Sequence, residues 1–112
     1  MKIEVLYFAG CPNSAPTISL VREVVRESGV EAEVAEVAEV EVLSAEQAQS
    51  LGFLGSPTVR VDGLDVEPEA RAATQFGFGC RTYVDAGRRT GTPTAAMLRS
   101  AIEEQVSRAR NI

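Results

Sequence analysis

Histidine is absent from this sequence of 112 residues, and cysteine occurs only twice. Without histidine, the chain cannot form a Ser-His-Asp or Cys-His catalytic site, a histidine metal site or an imidazole pH switch. Two cysteines are too few for a four-thiolate zinc site within one chain. No apolar run approaches the roughly 20 residues that a membrane-spanning helix needs. These absences exclude several common kinds of catalytic and metal site.

Length and composition predict one folded domain over residues 1–112, because two domains would each be too small to bury a core. The sequence is 45% hydrophobic and 24% charged, which is ordinary for a globular protein. Its net charge of −5 argues against nucleic acid as a partner. At the N-terminus, Glu4 interrupts the apolar run, so we predict a strand rather than a secretory signal. We therefore expect a cytoplasmic protein with no membrane partner. In the cytoplasm, thiols that have no redox role stay reduced.

Charge is divided unevenly along the chain. Residues 31–70 contain ten acidic side chains and one arginine, whereas residues 71–112 contain seven arginines and three acidic side chains. Two solvated faces would explain this division, and so would a basic rim that attracts an anionic thiol such as glutathione. We assign the acidic row to a sheet edge or a solvent face rather than to a metal site; it consists of Glu31, Glu33, Glu36, Glu39 and Glu41.

The first half of the chain predicts two strands that each precede a helix. Residues 2–8 read as a strand buried on both faces, and Gly29 as the left-handed end of the helix that follows. We predict a second strand at about 31–37, then a connection reaching Leu43. Ser44 and Gln47 form a capping box, which predicts a short helix at about 45–51.

The second half predicts a hairpin, an insertion and a final helix. Asp62-Gly63 suits a tight turn between strands at 58–61 and 64–67. Within the insertion at 69–91 we predict a helical turn at 69–76, a loop at 76–79, a short strand at 80–84 and a turn from Arg88 to Gly91. Thr92 is predicted to cap the last helix, with Pro93 at its first position. The order strand-helix-strand-helix-hairpin-helix predicts an α/β fold with a mixed sheet of about four strands and helices on both faces.

Cys11 lies directly after the first strand and at the start of the first helix. Sites in α/β proteins form beyond the carboxyl ends of strands. Unpaired N–H groups and the helix dipole at such a place favour a thiolate, which is the nucleophilic form of cysteine. A small apolar loop residue is the alternative. Pro12 is expected to stiffen the turn.

Gly55-Ser56-Pro57-Thr58 directly precedes the hairpin. The Ser56–Pro57 bond is either cis, which would alter how the preceding backbone is presented, or a trans bond at the start of a strand.

Together, Cys11-Pro12-Asn13-Ser14 and Ser56-Pro57-Thr58 make the chain resemble the thioredoxin superfamily over roughly residues 2–67 and the last helix. By this resemblance, Cys11 is the attacking thiol and Pro57 is a cis proline whose loop faces it. The resemblance further implies that substrates are bound around Pro12, Ser14, Ser56, Pro57 and Thr58.

The chain departs from the dithiol pattern of that family at Ser14, which stands where the second cysteine would be. Ser14 either donates a hydrogen bond to the Cys11 thiolate or satisfies N–H groups at the helix start. Cys80 either approaches Cys11 and resolves its mixed disulfides, or is a buried free cysteine. The 76–79 loop, with two glycines, would let Cys80 swing inward.

Several side chains near Cys80 in the sequence have more than one interpretation. Arg71, Arg81, Arg88 and Arg89 either favour a thiolate or hold a glutathione carboxylate, or they are surface cations. Phe76 and Phe78 form an apolar contact beside the site or anchor their loop.

Three functions remain open at this stage. The first is a thiol–disulfide oxidoreductase without cofactor, whose partner is a protein disulfide or a low-molecular-weight thiol. The second is a non-catalytic thioredoxin-like module that binds a partner between Cys11 and Pro57. The third is binding of a soft metal or an organomercurial by Cys11 and Cys80, since the chain also resembles small bacterial thioredoxin-like proteins grouped beside alkylmercury lyases.

Overall fold

A computed structural model describes residues 1–30, 34 and 36–110 of the chain. Its main sheet contains β1 (Lys2–Tyr7), β2 (Glu36–Glu41), β3 (Thr58–Val61) and β4 (Leu64–Asp65) in the order β2-β1-β3-β4. β1 pairs in parallel with β2 and antiparallel with β3, and β3 pairs antiparallel with β4. A second, two-stranded sheet joins β5 (Tyr83–Asp85) to β6 (Arg88–Thr90).

Helices cover both faces of the main sheet, as predicted. They are α1 (Ser14–Glu27), α2 (Ala45–Leu51) and α3 (Ala95–Arg110). On one face, Ile3 and Val5 of β1 pack in a core that includes Val21 of α1 and Leu98 of α3. On the other face, Leu6 packs in a smaller core with residues from α2 and its flanks: Val42, Ala48 and Phe53. β1 is therefore buried on both faces, which explains its nearly continuous apolar sequence.

The second strand lies later in the chain than predicted. β2 runs in register with all of β1, from Lys2 opposite Glu36 to Tyr7 opposite Glu41. The predicted connection over 38–43 is thus wrong for residues 38–41, because pairing with the central strand decides where β2 lies. Most of the predicted 31–37 strand, including Glu31 and Glu33, falls outside the described residues. Glu36, Glu39 and Glu41 are exposed on this edge strand, as expected.

The turns and caps of the first two helices and the hairpin agree with the sequence predictions. Gly29 and Gly52 have positive φ after α1 and α2, and Ser44 accepts a hydrogen bond from the Gln47 N–H. Asp62 and Gly63 both have positive φ, as a tight hairpin turn requires. The second hairpin strand is shorter than predicted, although the Val66 N–H still donates to the Val59 carbonyl.

The insertion and the last helix begin differently from the prediction. The turn of the second hairpin lies at Ala86-Gly87, so Arg88–Thr90 is a strand rather than a turn. Of the helical turn predicted at 69–76, a single 3₁₀ turn at Pro68–Ala70 forms. The predicted cap at Thr92 is also wrong. The Thr94 hydroxyl accepts a hydrogen bond from the Met97 N–H while donating to Asp85, and this double contact fixes the start of α3 two residues later.

Candidate functional site

Cys11 occupies the short link between β1 and α1. Its N–H donates to the Phe8 carbonyl at 3.3 Å, which turns the chain at the end of the strand. Its side chain is buried, with 7% of the residue exposed, whereas Pro12 is exposed. The first turn of α1 contains no acidic residue that would oppose a thiolate near the helix start.

Ser14 has a role that neither sequence interpretation described. Its hydroxyl donates to the Cys11 carbonyl at 2.9 Å, and its N–H lies 3.4 Å from the same oxygen. The side chain therefore stabilises the turn that holds Cys11 instead of receiving N–H groups of the helix.

The end of the insertion contacts the loop that carries Cys11. Gly91 follows β6, and a Cβ atom built there would lie 2.4 Å from the Asn13 amide nitrogen. The Asn13 side chain thus lies directly against Gly91, and the segment after β6 contacts the loop that carries Cys11.

The loop before β3 is buried and is held by hydrogen bonds. Ser56, Pro57 and Thr58 are all buried, and the Ser56–Pro57 peptide bond is cis. The Thr58 hydroxyl donates to the Gly55 carbonyl at 2.6 Å, which closes the loop internally. The Tyr83 hydroxyl donates to the Pro57 carbonyl.

Ser56 connects this loop to both cysteine segments. Its hydroxyl accepts a hydrogen bond from the Phe8 N–H at 3.3 Å, three residues before Cys11. Its backbone forms a parallel β-bridge with Cys80: the Ser56 N–H donates to the Gly79 carbonyl at 2.8 Å, and the Arg81 N–H donates to the Ser56 carbonyl at 3.0 Å. The structure therefore brings the Cys11, Pro57 and Cys80 segments together around Ser56.

Cys80 is exposed and free, so the interpretation as a buried core cysteine is wrong. Two residues earlier, the Phe78 ring lies 5.4 Å from the Phe8 ring, between centroids. An open depression of about 370 Å³ adjoins Cys80, and its lining includes Leu54, Gly55, Phe76 and Phe78. Cys80 can thus meet a solute directly, whereas Cys11 is largely covered.

The loop at 76–79 is anchored at several points. The Gln49 side-chain amide donates to the Phe76 carbonyl, the Gly77 N–H donates to the Phe53 carbonyl, and the Gly79 carbonyl is bonded to Ser56. Anchoring is therefore the better of the two interpretations of this loop. The two glycines do not leave it without backbone partners.

The burial of Arg81 is the main feature that the sequence analysis missed, since Arg81 was interpreted there as a partner of a thiolate or carboxylate or as a surface cation. As a residue it is only 7% exposed, and its guanidinium bonds both oxygens of Asp65 at 2.6 and 2.8 Å. It also contacts Glu67 and lies 4.1 Å from the Tyr83 ring centroid. Burial alone would lower the pKa of Arg81, but its hydrogen bonds to Asp65 and the neighbouring negative groups raise it.

A sequence signal for this buried pair existed at Asp65. It lies between Leu64 and Val66 in a predicted strand, but nothing in the sequence identified Arg81 as its partner. Burial also raises the pKa of Tyr83, whose ring covers the guanidinium. Arg81, Asp65 and Tyr83 form a buried cluster behind the Pro57 loop.

Two other arginines of the predicted basic rim, Arg71 and Arg89, have partners away from the thiols. Arg71 bonds both oxygens of Glu104 and the Asp65 carbonyl, and Arg89 donates to the Thr82 hydroxyl. The hydrogen bond from Arg71 lowers the pKa of Glu104. The described residues contain no group of three or more Cys, Asp or Glu side chains arranged to hold a metal ion. Within the same residues, no helix is long and apolar enough to cross a membrane.

A family model described as a thioredoxin domain matches residues 1–65, which include both the Cys11 loop and the Pro57 loop. No curated protein and no solved structure matches the chain.

Proposed function

Because the chain belongs to the thioredoxin domain family, with the redox role typical of that family, we propose that it performs thiol–disulfide exchange through Cys11 and that Cys80 resolves the mixed disulfides. The observation that carries this proposal is the position of Ser56. Its hydroxyl accepts a hydrogen bond from the N–H of Phe8, which follows β1 and leads into Cys11. Its backbone is hydrogen-bonded to Gly79 and Arg81, the two neighbours of Cys80.

The chemistry requires two exchange steps. The Cys11 thiolate attacks one sulfur of a substrate disulfide, forms a mixed disulfide and releases the other half as a thiolate. The Cys80 thiolate then attacks the Cys11 sulfur, which forms an internal disulfide and releases the second half. Two electrons pass from the protein thiols to the substrate, and an external thiol reductant returns the protein to its dithiol form.

The remaining site residues have supporting roles in this proposal. Exposed Pro12 contacts the substrate beside Cys11, and Ser14 holds the Cys11 turn through its bond to the carbonyl. Ser56, Pro57 and Thr58 are buried, so they act by shaping the floor of the site.

The test is mild oxidation at low protein concentration, followed by peptide mapping. We expect one peptide pair linked between Cys11 and Cys80. Turnover of a disulfide substrate should disappear in Cys11→Ser and fall strongly in Cys80→Ser, which should accumulate a mixed disulfide on Cys11. Ser107→Ala, an exposed change on α3, is the matched control and should keep wild-type turnover.

Two results would contradict parts of the proposal. If oxidation gives only glutathione adducts and Cys80→Ser keeps full turnover, an external thiol resolves Cys11. If Cys11→Ser keeps full turnover, Cys11 is not the nucleophile.

The burial of Cys11 favours a second candidate, a binding module without catalysis. A thiol in a residue that is only 7% exposed is poorly placed to meet a large disulfide. In that case, neither cysteine variant would change partner binding, and wild-type protein would show no turnover. Tight binding of a soft metal or organomercurial that requires both thiols would instead support the third candidate.

A further inference from the structure

We infer that the segment Gly79–Arg81 is a fixed internal strand that closes the backbone edge at Ser56, so that the site accepts compact disulfides and disfavours extended polypeptides. This inference deepens the proposed function and rests on it. It narrows the substrate class of the same site.

The first step concerns backbone hydrogen bonds. An extended peptide joins a sheet edge through free N–H and C=O groups. At Ser56 the N–H is bonded to the Gly79 carbonyl at 2.8 Å, and the carbonyl accepts from the Arg81 N–H at 3.0 Å. Cys80 therefore holds the place that a residue of an incoming strand would take.

The second step is that the buried ion pair of Arg81 holds this segment in place. Its Arg81 side chain is 5% exposed and is bonded to Asp65, which is 6% exposed. Withdrawing the segment would separate a buried ion pair and leave a carboxylate uncompensated, which is strongly unfavourable. An incoming peptide would have to offset this loss with its own contacts.

The third step is the close fit at Gly55. This residue has a φ of +116°, and a Cβ atom there would lie 2.9 Å from the Arg81 Cβ and 3.1 Å from the Gly79 carbonyl. The segment thus lies directly against the loop backbone. The Phe78 ring, just before this segment, lies 5.4 Å from the ring of Phe8, which follows β1, between centroids.

A compact disulfide does not need this edge. It requires only that one of its sulfurs reach the Cys11 thiol, and this needs no backbone pairing at Ser56. Small disulfides therefore avoid the competition that an extended chain meets there, where Gly79 and Arg81 already hold both backbone groups.

The experiment compares two probes on a Cys80→Ser background, so that Cys11 is the only thiol. One probe is the thionitrobenzoate disulfide of free cysteine, and the other is the same disulfide within an extended peptide. The coloured thiolate that each reaction releases gives its rate. We expect the small probe to react roughly tenfold faster after correction for the rates with free thiol, since two backbone hydrogen bonds are unavailable to the peptide.

Weakening the Arg81–Asp65 ion pair should reduce the preference for the small probe. In Asp65→Asn the charge pair is lost, and in Arg81→Lys the bidentate contact is lost. Either variant, if folded, should react faster than the parent Cys80→Ser protein with the peptide probe. Its rate with the small probe should not change. Gly77→Ala is the matched loop control, because a Cβ there would have no described atom within 4 Å, and it should keep the wild-type ratio.

Hydrogen exchange of the wild-type protein provides a readout that needs no reactive thiol. The Ser56 and Arg81 amides should exchange slowly, as amides in stable strands do. Exchange as fast as that of an exposed loop amide, or equal rates with the two probes, would overturn the inference. Reaction of Cys11 with neither probe would overturn the proposed function, while slow exchange would still establish that the segment is closed.

Discussion

The guanidinium of Arg81 donates hydrogen bonds to both carboxylate oxygens of Asp65, at 2.6 and 2.8 Å, and both side chains are almost fully buried. Asp65 belongs to β4 of the main sheet, whereas Arg81 follows the exposed Cys80. This pair therefore ties the insertion to the sheet behind the Pro57 loop.

Removing one member of the pair should be costly. Arg81→Ala leaves a buried carboxylate unpaired, so we expect unfolding free energy to fall by about 3–5 kcal/mol. Urea unfolding measures the change. The double variant Arg81→Met/Asp65→Leu should recover much of the loss; if it is no more stable than Arg81→Ala, the uncompensated charge is not the cause.

Tyr83 should titrate only when the protein unfolds. Burial raises its pKa above the usual value of 10.0, so the folded state favours the protonated phenol. Its contribution to stability is therefore complete below pH 10 and is lost as pH rises above that value. Ultraviolet titration of Tyr7→Phe, in which Tyr83 is the remaining tyrosine, should show ionisation only with alkaline unfolding. Ionisation of Tyr83 in the native state of that variant would contradict this.

Tyr83→Phe tests the contact with the Pro57 loop. The change removes the hydroxyl that donates to the buried Pro57 carbonyl and leaves that oxygen without this donor. We expect a loss of about 1–3 kcal/mol in unfolding free energy. Tyr7→Phe is the matched control and should cost less.

The contact between Glu104 and Arg71 should stabilise the protein more at neutral pH than at acid pH. The hydrogen bond from Arg71 lowers the pKa of Glu104, so the stabilisation is present above the unfolded pKa near 4.5 and is lost as pH falls through the folded value. Arg71→Met should therefore destabilise the protein more at neutral pH than at pH about 3. An equal effect at both pH values would assign the loss to packing and to the Asp65 carbonyl contact alone.

The two thiols should respond differently to reagent size. A bulky maleimide reports accessibility and should label exposed Cys80 first. A small, slow alkylating reagent can enter where a bulky one cannot, and the position of Cys11 at the helix start predicts that this reagent labels Cys11 first. Mass spectrometry after brief labelling gives the order. Preferential labelling of Cys80 by both reagents would contradict the sequence-based prediction that Cys11 is the more reactive thiol.

Gly55→Ala should destabilise the protein more than Gly77→Ala. Gly55 has a positive φ, and its Cβ would press against the Arg81 segment, whereas a Cβ at Gly77 would meet no described atom within 4 Å. A residue other than glycine in such a backbone region costs roughly 1–3 kcal/mol. Thermal unfolding of both variants measures the difference, and equal losses would exclude the close contact as the cause.

The sequence by itself determined the local features of this protein. The apolar run in β1, the Asp62-Gly63 turn and the Ser44 cap each depend on neighbouring residues, so their structures were predictable. The Cys11 and Pro57 segments were also recognisable, because each is a short run with its own residue pattern.

Tertiary structure alone decided the rest. The position of β2 depends on its register with β1, and the start of α3 depends on the contact of Thr94 with Asp85. The burial of Arg81 beside Asp65, and the pairing of Cys80 with Ser56, join residues at least 16 positions apart. Such contacts form only when the whole chain packs, and no local pattern of sequence encodes which distant residue becomes the partner.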